Sequence, residues 1–401
     1  MEQEQAILKA TVIQGTCGWL DQQYPSSVGR DAASRLTYFS RIWPSVEVNS
    51  TTYTITSPET TSKWCKSTPK NFLFHFKAYG LFCSRGIAFG QLPSGVKQLL
   101  SASSEHPKRY LEMRDMPDGV VDMCWKLFNE SLVPVYKANK LGVVLFQFHL
   151  TFKPDRDNLQ YVAECRSRLD PRYRMAVEFR ARAWLTDPAW KMKVKEMCTN
   201  LSIGWAAADE LEHETYQLDK HQKGLPAGRE KRVLPIALEV TNPEFFYVRV
   251  HRRFGMEDRR LETAEMAAWA QRLYTIANGM YARQEKPVPI YFLWGTDHRN
   301  VPLMNKKSLQ QALKLKEGLN VLDWEPGSVL TMMKSHTAGD APRGNSSNTA
   351  VAIYNKSIEN VEEKKVENNS SDTATMDRKL KSKPKRLGGI KRYFSTINDD
   401  T

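Results

Sequence analysis

The sequence predicts an α/β fold, a (β/α)8 TIM-type barrel with insertions, followed by a disordered basic C-terminal tail. Three observations predict it. Eight short β-rich runs recur between residues 11 and 294, stretches of helical length separate them, and apolar character fades after about Met333. A doubly wound open sheet of similar length is the alternative topology that strand counting leaves open.

The elements follow in order. TVIQG at 11–15 and SVEVN at 45–49 are β-branched runs, and residues 30–42 between them have helical length. Residues 58–66 form the next helix, because Ser57 is an N-cap type and Pro58 suits the first helical position. FLFHFK at 72–77 is an aromatic strand. Residues 84–116 exceed an ordinary connection and read as an insertion. A helix over 118–137 leads to GVVLFQFH at 142–149, and RMAVEF at 174–179 follows. Asp187 and Pro188 repeat the cap pattern ahead of a helix over 188–200, which precedes LSIGWAA at 201–207. Residues 213–242 form a second insertion. FYVRVH at 246–251, a helix over 261–281, PIYFLW at 289–294 and a helix over 303–316 complete the barrel, whose domain is expected to span residues 1–330.

Composition limits the function classes. A chain of 401 residues with 41% apolar and 10% aromatic content is neither wholly disordered nor a small stapled scaffold. Its 58 Lys+Arg against 45 Asp+Glu give a net charge of +13, which suits anionic substrates or nucleic acid. The six cysteines contain no CxxC pair, so a reducing compartment is expected. With a polar start and no apolar run of about 20 residues, the expectation is an intracellular protein, cytoplasmic or nuclear, with no membrane partner.

Parallel barrels build their sites where the strands end, and this sequence places polar side chains at nearly every such end. Strand alternation puts Glu47 with Asn49, His75 with Lys77, Gln147 with His149, Glu178 with Arg180, and Arg249 with His251 on common faces. Asp209 follows the sixth run, and Thr296, Asp297 and His298 follow the eighth. Glu47, Lys77, Glu178 and His251 are the candidate catalytic residues, able to supply acid, base and electrostatic stabilisation. Asn49, Gln147, Arg180, Asp209, Arg249, Thr296, Asp297 and His298 are candidates for substrate binding. The Arg180 cation should keep Glu178 ionised, which leaves Glu47 as the candidate acid. His75 and His149 are both candidates for core histidines, a reading favoured for His75. Arg249, His251, Arg252, Arg253, Thr296, His298 and Arg299 gather where barrels often hold phosphate. A metal held by Glu47, Glu178, Asp209 and His251 is the rival arrangement, and the residues specify no cofactor. No GxSxG elbow, HExxH pair, Walker loop or strand-linked GxGxxG occurs.

Several stretches carry a resemblance. GTCGW at 15–19, VEVNSTTY at 46–53, SPETTSKW at 57–64, FHFKA at 74–78, LGVVLFQF at 141–148, MAVEFRARAWL at 175–185, FYVRVHRRFG at 246–255 and GTDHRNVP at 295–302 together resemble the YecE-like family, domain of unknown function 72. The resemblance covers roughly residues 11–316 in order and implies a TIM-barrel fold but no settled reaction. Residues 86–116 and the tail beyond Glu317 look like additions, and Trp294 and Gly295 stand where an Asn-rich stretch is expected. The expected function is acid/base catalysis on an anionic substrate, phosphorylated or related to nucleic acid, by a hydrolase, lyase or isomerase. The alternative is a noncatalytic module that binds nucleic acid or a sliding clamp.

The tail, residues 331–401, carries the features of that alternative. Eight basic residues and no acidic one lie between Arg378 and Phe394. Leu387, Ile390, Tyr393 and Phe394 have the spacing of the sliding-clamp (PCNA) interaction motif, with Leu387 in place of its glutamine. A labelled peptide of residues 378–401 is expected to bind a sliding clamp and to lose binding when Tyr393 and Phe394 both become Ala. Equal binding by the two peptides would refute the motif.

Overall fold

The computed structural model describes residues 7–20, 22–103, 109–117, 119–210, 234–251, 260–295 and 300–324. Strands β1 (Ala10–Thr16), β2 (Ser45–Val48) and β3 (Leu73–Lys77) alternate with helices α1 (Ala32–Phe39) and α2 (Pro58–Lys66). After the short helix α3 (Gly80–Ser84), strands β4 (Gly86–Ala88) and β5 (Tyr110–Glu112) form an antiparallel ribbon around α4 (Ser94–Ser103). This is the first insertion. Helix α5 (Val120–Lys137) then returns the chain to β6 (Leu141–Phe148), α6 (Arg156–Arg168) and β7 (Arg174–Phe179). Next come α7 (Ala183–Thr186), α8 (Pro188–Asn200), β8 (Gly204–Trp205), β9 (Ala207–Asp209), β10 (Phe246–His251), α9 (Thr263–Gln284), β11 (Val288–Gly295), α10 (Val301–Lys314) and β12 (Leu319–Val321).

All eight expected runs become strands of one parallel sheet, ordered β8-β7-β6-β3-β2-β1-β11-β10-β9. The two ends of that order are halves of a single stave. β8 pairs with β7 and β9 with β10, while Ala206 between them donates its N–H to Val177 O at 2.9 Å. The sheet is therefore an α/β barrel, nearly closed, with its seam at the sixth stave. β1 and β2 touch only at their upper ends, Gly15↔Ser45 and Thr16↔Val46. Lower down, β12 takes that edge of β1, with Ala10↔Leu319 through Val12↔Val321.

Alternating side chains divide the strands between two apolar regions, as expected where both sheet faces are covered. Ile13, Leu73, Val143, Leu145, Ala176, Ala206, Phe245, Tyr247, Tyr291 and Leu293 fill the barrel interior. Outside, aromatic rings pack beneath the helices. Phe82 stacks on Trp125 at 3.8 Å between centroids, and Phe148 stacks on Phe152 at 4.3 Å. The expected caps form as well: Ser57 accepts from Thr60 N, and Asp187 accepts from Ala189 N and Trp190 N. Residues 211–233, most of the second insertion, lie outside the described residues, as does the tail. Among the described residues no helix is long and apolar enough to cross a membrane.

Gly15 marks the tightest approach between β1 and β2. A Cβ there would lie 2.5 Å from the carbonyl oxygen of Ser45, which is backbone and cannot rotate away. Gly15→Ala is expected to lower stability by about 1–3 kcal/mol in urea denaturation, the usual cost of overpacking. An unchanged midpoint would show that the two strands can separate there.

Candidate functional site

The inward faces of β2, β3, β6, β7 and β10 end in polar side chains at the C-terminal mouth, and three of these strands converge on one guanidinium. Arg249 on β10 is 2% exposed, Glu47 on β2 is 0% exposed and Glu178 on β7 is 1% exposed. Arg249 donates from Nε to Glu47 Oε2 at 2.9 Å and from Nη2 to Glu47 Oε1 at 2.7 Å. Its Nη1 donates to Glu178 Oε2 at 2.5 Å. The Tyr247 hydroxyl, two residues earlier on the same face of β10, donates to Glu47 Oε2 at 2.9 Å. The planar fork of arginine thus bridges two carboxylates that strands 131 residues apart bring together.

Glu178 is the hub of the network. Its Oε1 accepts from Gln147 Nε2 at 2.7 Å and from Arg180 Nη1 at 3.0 Å, and lies 3.3 Å from His251 Nε2. Register places Gln147 and Glu178 directly opposite each other on β6 and β7. With its amide nitrogen committed to Glu178, Gln147 turns its Oε1 to Lys77, whose Nζ donates to it at 2.9 Å. Arg180 also pairs with Glu210. His251 Nε2 lies 3.0 Å from Arg249 Nη1, so one ring nitrogen faces both an obligatory donor and a carboxylate.

These contacts set the protonation states. Burial raises the Glu178 pKa, but the Arg249 charge, with Arg180 beside it, outweighs that and holds the carboxyl well below its usual range. For Arg249, burial favours loss of the proton and the Glu178 and Glu47 carboxylates reverse that, raising it well above the usual arginine value. Burial first, then the Arg249 charge, lower the Lys77 amine against the pull of Glu47 and Glu178. The same two causes lower His251, which is therefore neutral at pH 7.

The structure brings Glu47, Lys77, Gln147, Glu178, Arg180, Arg249 and His251 into one hydrogen-bonded cluster. Asn49 follows two residues after Glu47, its Nδ2 donating to Cys17 O and its Oδ1 buried without a partner among the described residues. Asp209 is placed differently from the expectation. Ala208 takes the inward position of β9, so Asp209 faces the helix layer and accepts from Trp269 Nε1 at 2.8 Å. Glu47 does not match the less compensated acid expected of it, since Arg249 and Tyr247 already occupy both its oxygens. His75 lies in the core, accepting at Nδ1 from Val143 N at 3.1 Å; its ring packs edge-to-face with Tyr247 and Tyr291, and its Nε2 has no hydrogen-bond partner among the described residues. His149 is exposed rather than core. Thr296, Asp297, His298 and Arg299, with Arg252 and Arg253, lie outside the described residues, and so do Leu387, Ile390, Tyr393 and Phe394. Among the described residues no group of three or more His, Cys, Asp or Glu is arranged to hold a metal.

Tyr247 was not among the candidates, although its position two residues before Arg249 on a common face could have marked it. Arg249, expected to bind substrate, instead holds the two carboxylates. Arg249→Met is expected to cost about 3–5 kcal/mol in urea denaturation, because it leaves two buried carboxylates without their cation. A loss below about 1 kcal/mol would mean that the carboxylates do not depend on Arg249.

The family model described as Protein of unknown function DUF72 matches residues 13–327. Among curated proteins, UPF0759 protein YunF of Bacillus subtilis (strain 168) is 30% identical over 186 residues, 46% of this chain and 55% of that protein. The match thus spans about half the length of that relative. Among solved structures, a DUF72 family protein from Enterococcus faecalis V583 superposes with a TM-score of 0.53 at 19% identity, covering 76% of this chain and 98% of the other. Another, from Thermotoga maritima MSB8, gives a TM-score of 0.50 at 20% identity, covering 76% and 99%. At such identities the structures bear on the fold alone, and they agree with the barrel. The family match spans most of the sequence and both structural neighbours carry its name: this chain belongs to the DUF72 family.

Proposed function

We propose that the barrel mouth is the active site of an enzyme acting on a small anionic substrate, with Lys77 and His251 moving protons and the two carboxylates holding the site in shape. One observation carries this reading. Lys77 is a cation set into a mouth where Arg249 and Arg180 already have carboxylate partners, and its Nζ has only the Gln147 amide as partner among the described residues. An acidic group on a ligand would complete it.

The carboxylates suit a supporting role. Glu178 is too acidic to take a proton near neutral pH, and both oxygens of Glu47 are engaged. His251 suits proton transfer better. Neutral, its Nε2 can accept from Arg249, and once protonated it can donate to Glu178 Oε1, so either state keeps a partner. Asn49, Gln147 and Arg180 would orient the substrate, as would Thr296, Asp297 and His298, which follow β11 in the sequence.

A thermal-shift screen with inorganic phosphate, phosphorylated metabolites and small carboxylic acids tests the reading. At least one anion is expected to raise the melting temperature of the wild-type protein and to leave Lys77→Met unmoved. Lys77→Met itself is expected to melt no lower than wild type, because an apolar chain of similar length replaces a desolvated cation. Equal shifts in both proteins, or none in either, would overturn the proposal.

A further inference from the structure

We infer that Lys77 forms an imine with the carbonyl carbon of its substrate, so that the mouth takes oxo acids or phosphorylated aldehydes and ketones. This inference rests on the anion-binding reading above and adds a covalent step to it.

Other lysines in the same barrel show what a structural lysine looks like. Lys140 satisfies its three donors, giving hydrogen bonds to Cys65 O at 2.6 Å, Thr68 O at 2.8 Å and Thr68 Oγ1 at 2.9 Å. Lys306 donates to Ile42 O at 2.8 Å and lies over the Trp43 ring at 4.8 Å. Lys77 has neither arrangement. Its one acceptor among the described residues, Gln147 Oε1, is fixed in place because Glu178 holds the other end of that amide. Such an acceptor aims the amine without neutralising it, whereas a carboxylate would hold it as an ammonium.

The surroundings lower the cost of releasing the ammonium proton to reach the nucleophilic form. Arg249 places a permanent positive charge near the amine, and burial adds to the same effect. On the neighbouring strand end, Asn49 Oδ1 is a buried acceptor with no partner among the described residues, its amide pinned by the bond to Cys17 O. It is available for a hydroxyl of the bound substrate or of the addition intermediate, and leaving it unfilled is costly.

The step balances without a further reagent. The Nζ lone pair forms the C–N bond as the carbonyl π pair moves onto oxygen, and proton transfer from nitrogen to oxygen gives a carbinolamine. A second proton, carried by His251, lets that oxygen leave as water while the nitrogen lone pair completes the C=N bond, and the resulting iminium gives its N–H proton back to leave the neutral imine. Amine and carbonyl compound thus become imine and water, with His251 placed at the mouth to carry protons.

Pyridoxal 5′-phosphate, an aldehyde bearing a phosphate, is the probe. Full-length protein is treated with it near neutral pH, reduced with borohydride and mapped by peptide mass spectrometry, with melting temperature in inorganic phosphate measured in parallel. Lys77 is expected to be the first lysine reduced onto the probe. It should react several-fold faster than the exposed Lys70, and inorganic phosphate should slow it. Labelling of Lys77 no faster than Lys70 would overturn the imine. If phosphate still stabilises the wild-type protein but not Lys77→Met, the anion-binding reading survives that result, and if it stabilises neither, both fall together.

Discussion

Arg249 is the interaction on which the mouth of this barrel depends. Three ionised groups lie within a few per cent of complete burial, and each would cost several kcal/mol alone. They are tolerable because one planar cation meets two carboxylates, Tyr247 supplies a further donor to Glu47, and Gln147 and Arg180 fill positions on Glu178. The arrangement also constrains the sheet. A shift of one residue in β2, β7 or β10 would send a charged side chain into the helix layer, so the ion network and the strand register specify each other.

A division of labour follows from this geometry. The groups that look most catalytic from their charge, Glu47 and Glu178, are the most completely bonded. The groups around them are less completely bonded among the described residues: Lys77 has one amide partner, His251 lies between a donor and an acceptor, and Asn49 Oδ1 has no partner. Glu178, itself held by Arg249, thus fixes Gln147 and through it Lys77. Rigidity of this kind is what positions a reactive group within a fraction of an ångström.

Much of the fold was legible because parallel strands buried on both faces leave dense apolar runs that few other elements imitate. GVVLFQFH and RMAVEF are examples, and Ser57-Pro58 and Asp187-Pro188 marked helix starts through elementary capping chemistry. The helix Arg156–Arg168 was harder to see, its buried residues Leu159, Val162 and Cys165 being set among charged ones. β12 and the β4–β5 ribbon are three-residue strands whose pairing comes from tertiary context. In the site, period-two alternation was enough to gather Glu47, Lys77, Gln147, Glu178, Arg249 and His251 on inward faces. It could not place Asp209, because the strand continues past Ala206 and Ala208 takes the inward position. Nor could alternation say which charged group would be bonded by which, since that depends on contacts across the ring.

The pairing of β1 has a consequence for how the protein is made. One edge of this first strand is occupied by β11 along its whole length, and the lower half of the other edge by β12. During synthesis on the ribosome, β1 emerges long before either partner. Until Val288–Gly295 and Leu319–Val321 follow, only the short contact with β2 can protect it, and Glu47 likewise waits for the cation on β10. Vectorial folding therefore passes through an open crescent with an exposed edge and a carboxylate awaiting its cation, a state that favours chaperone capture and keeps the ring from closing until translation is well advanced.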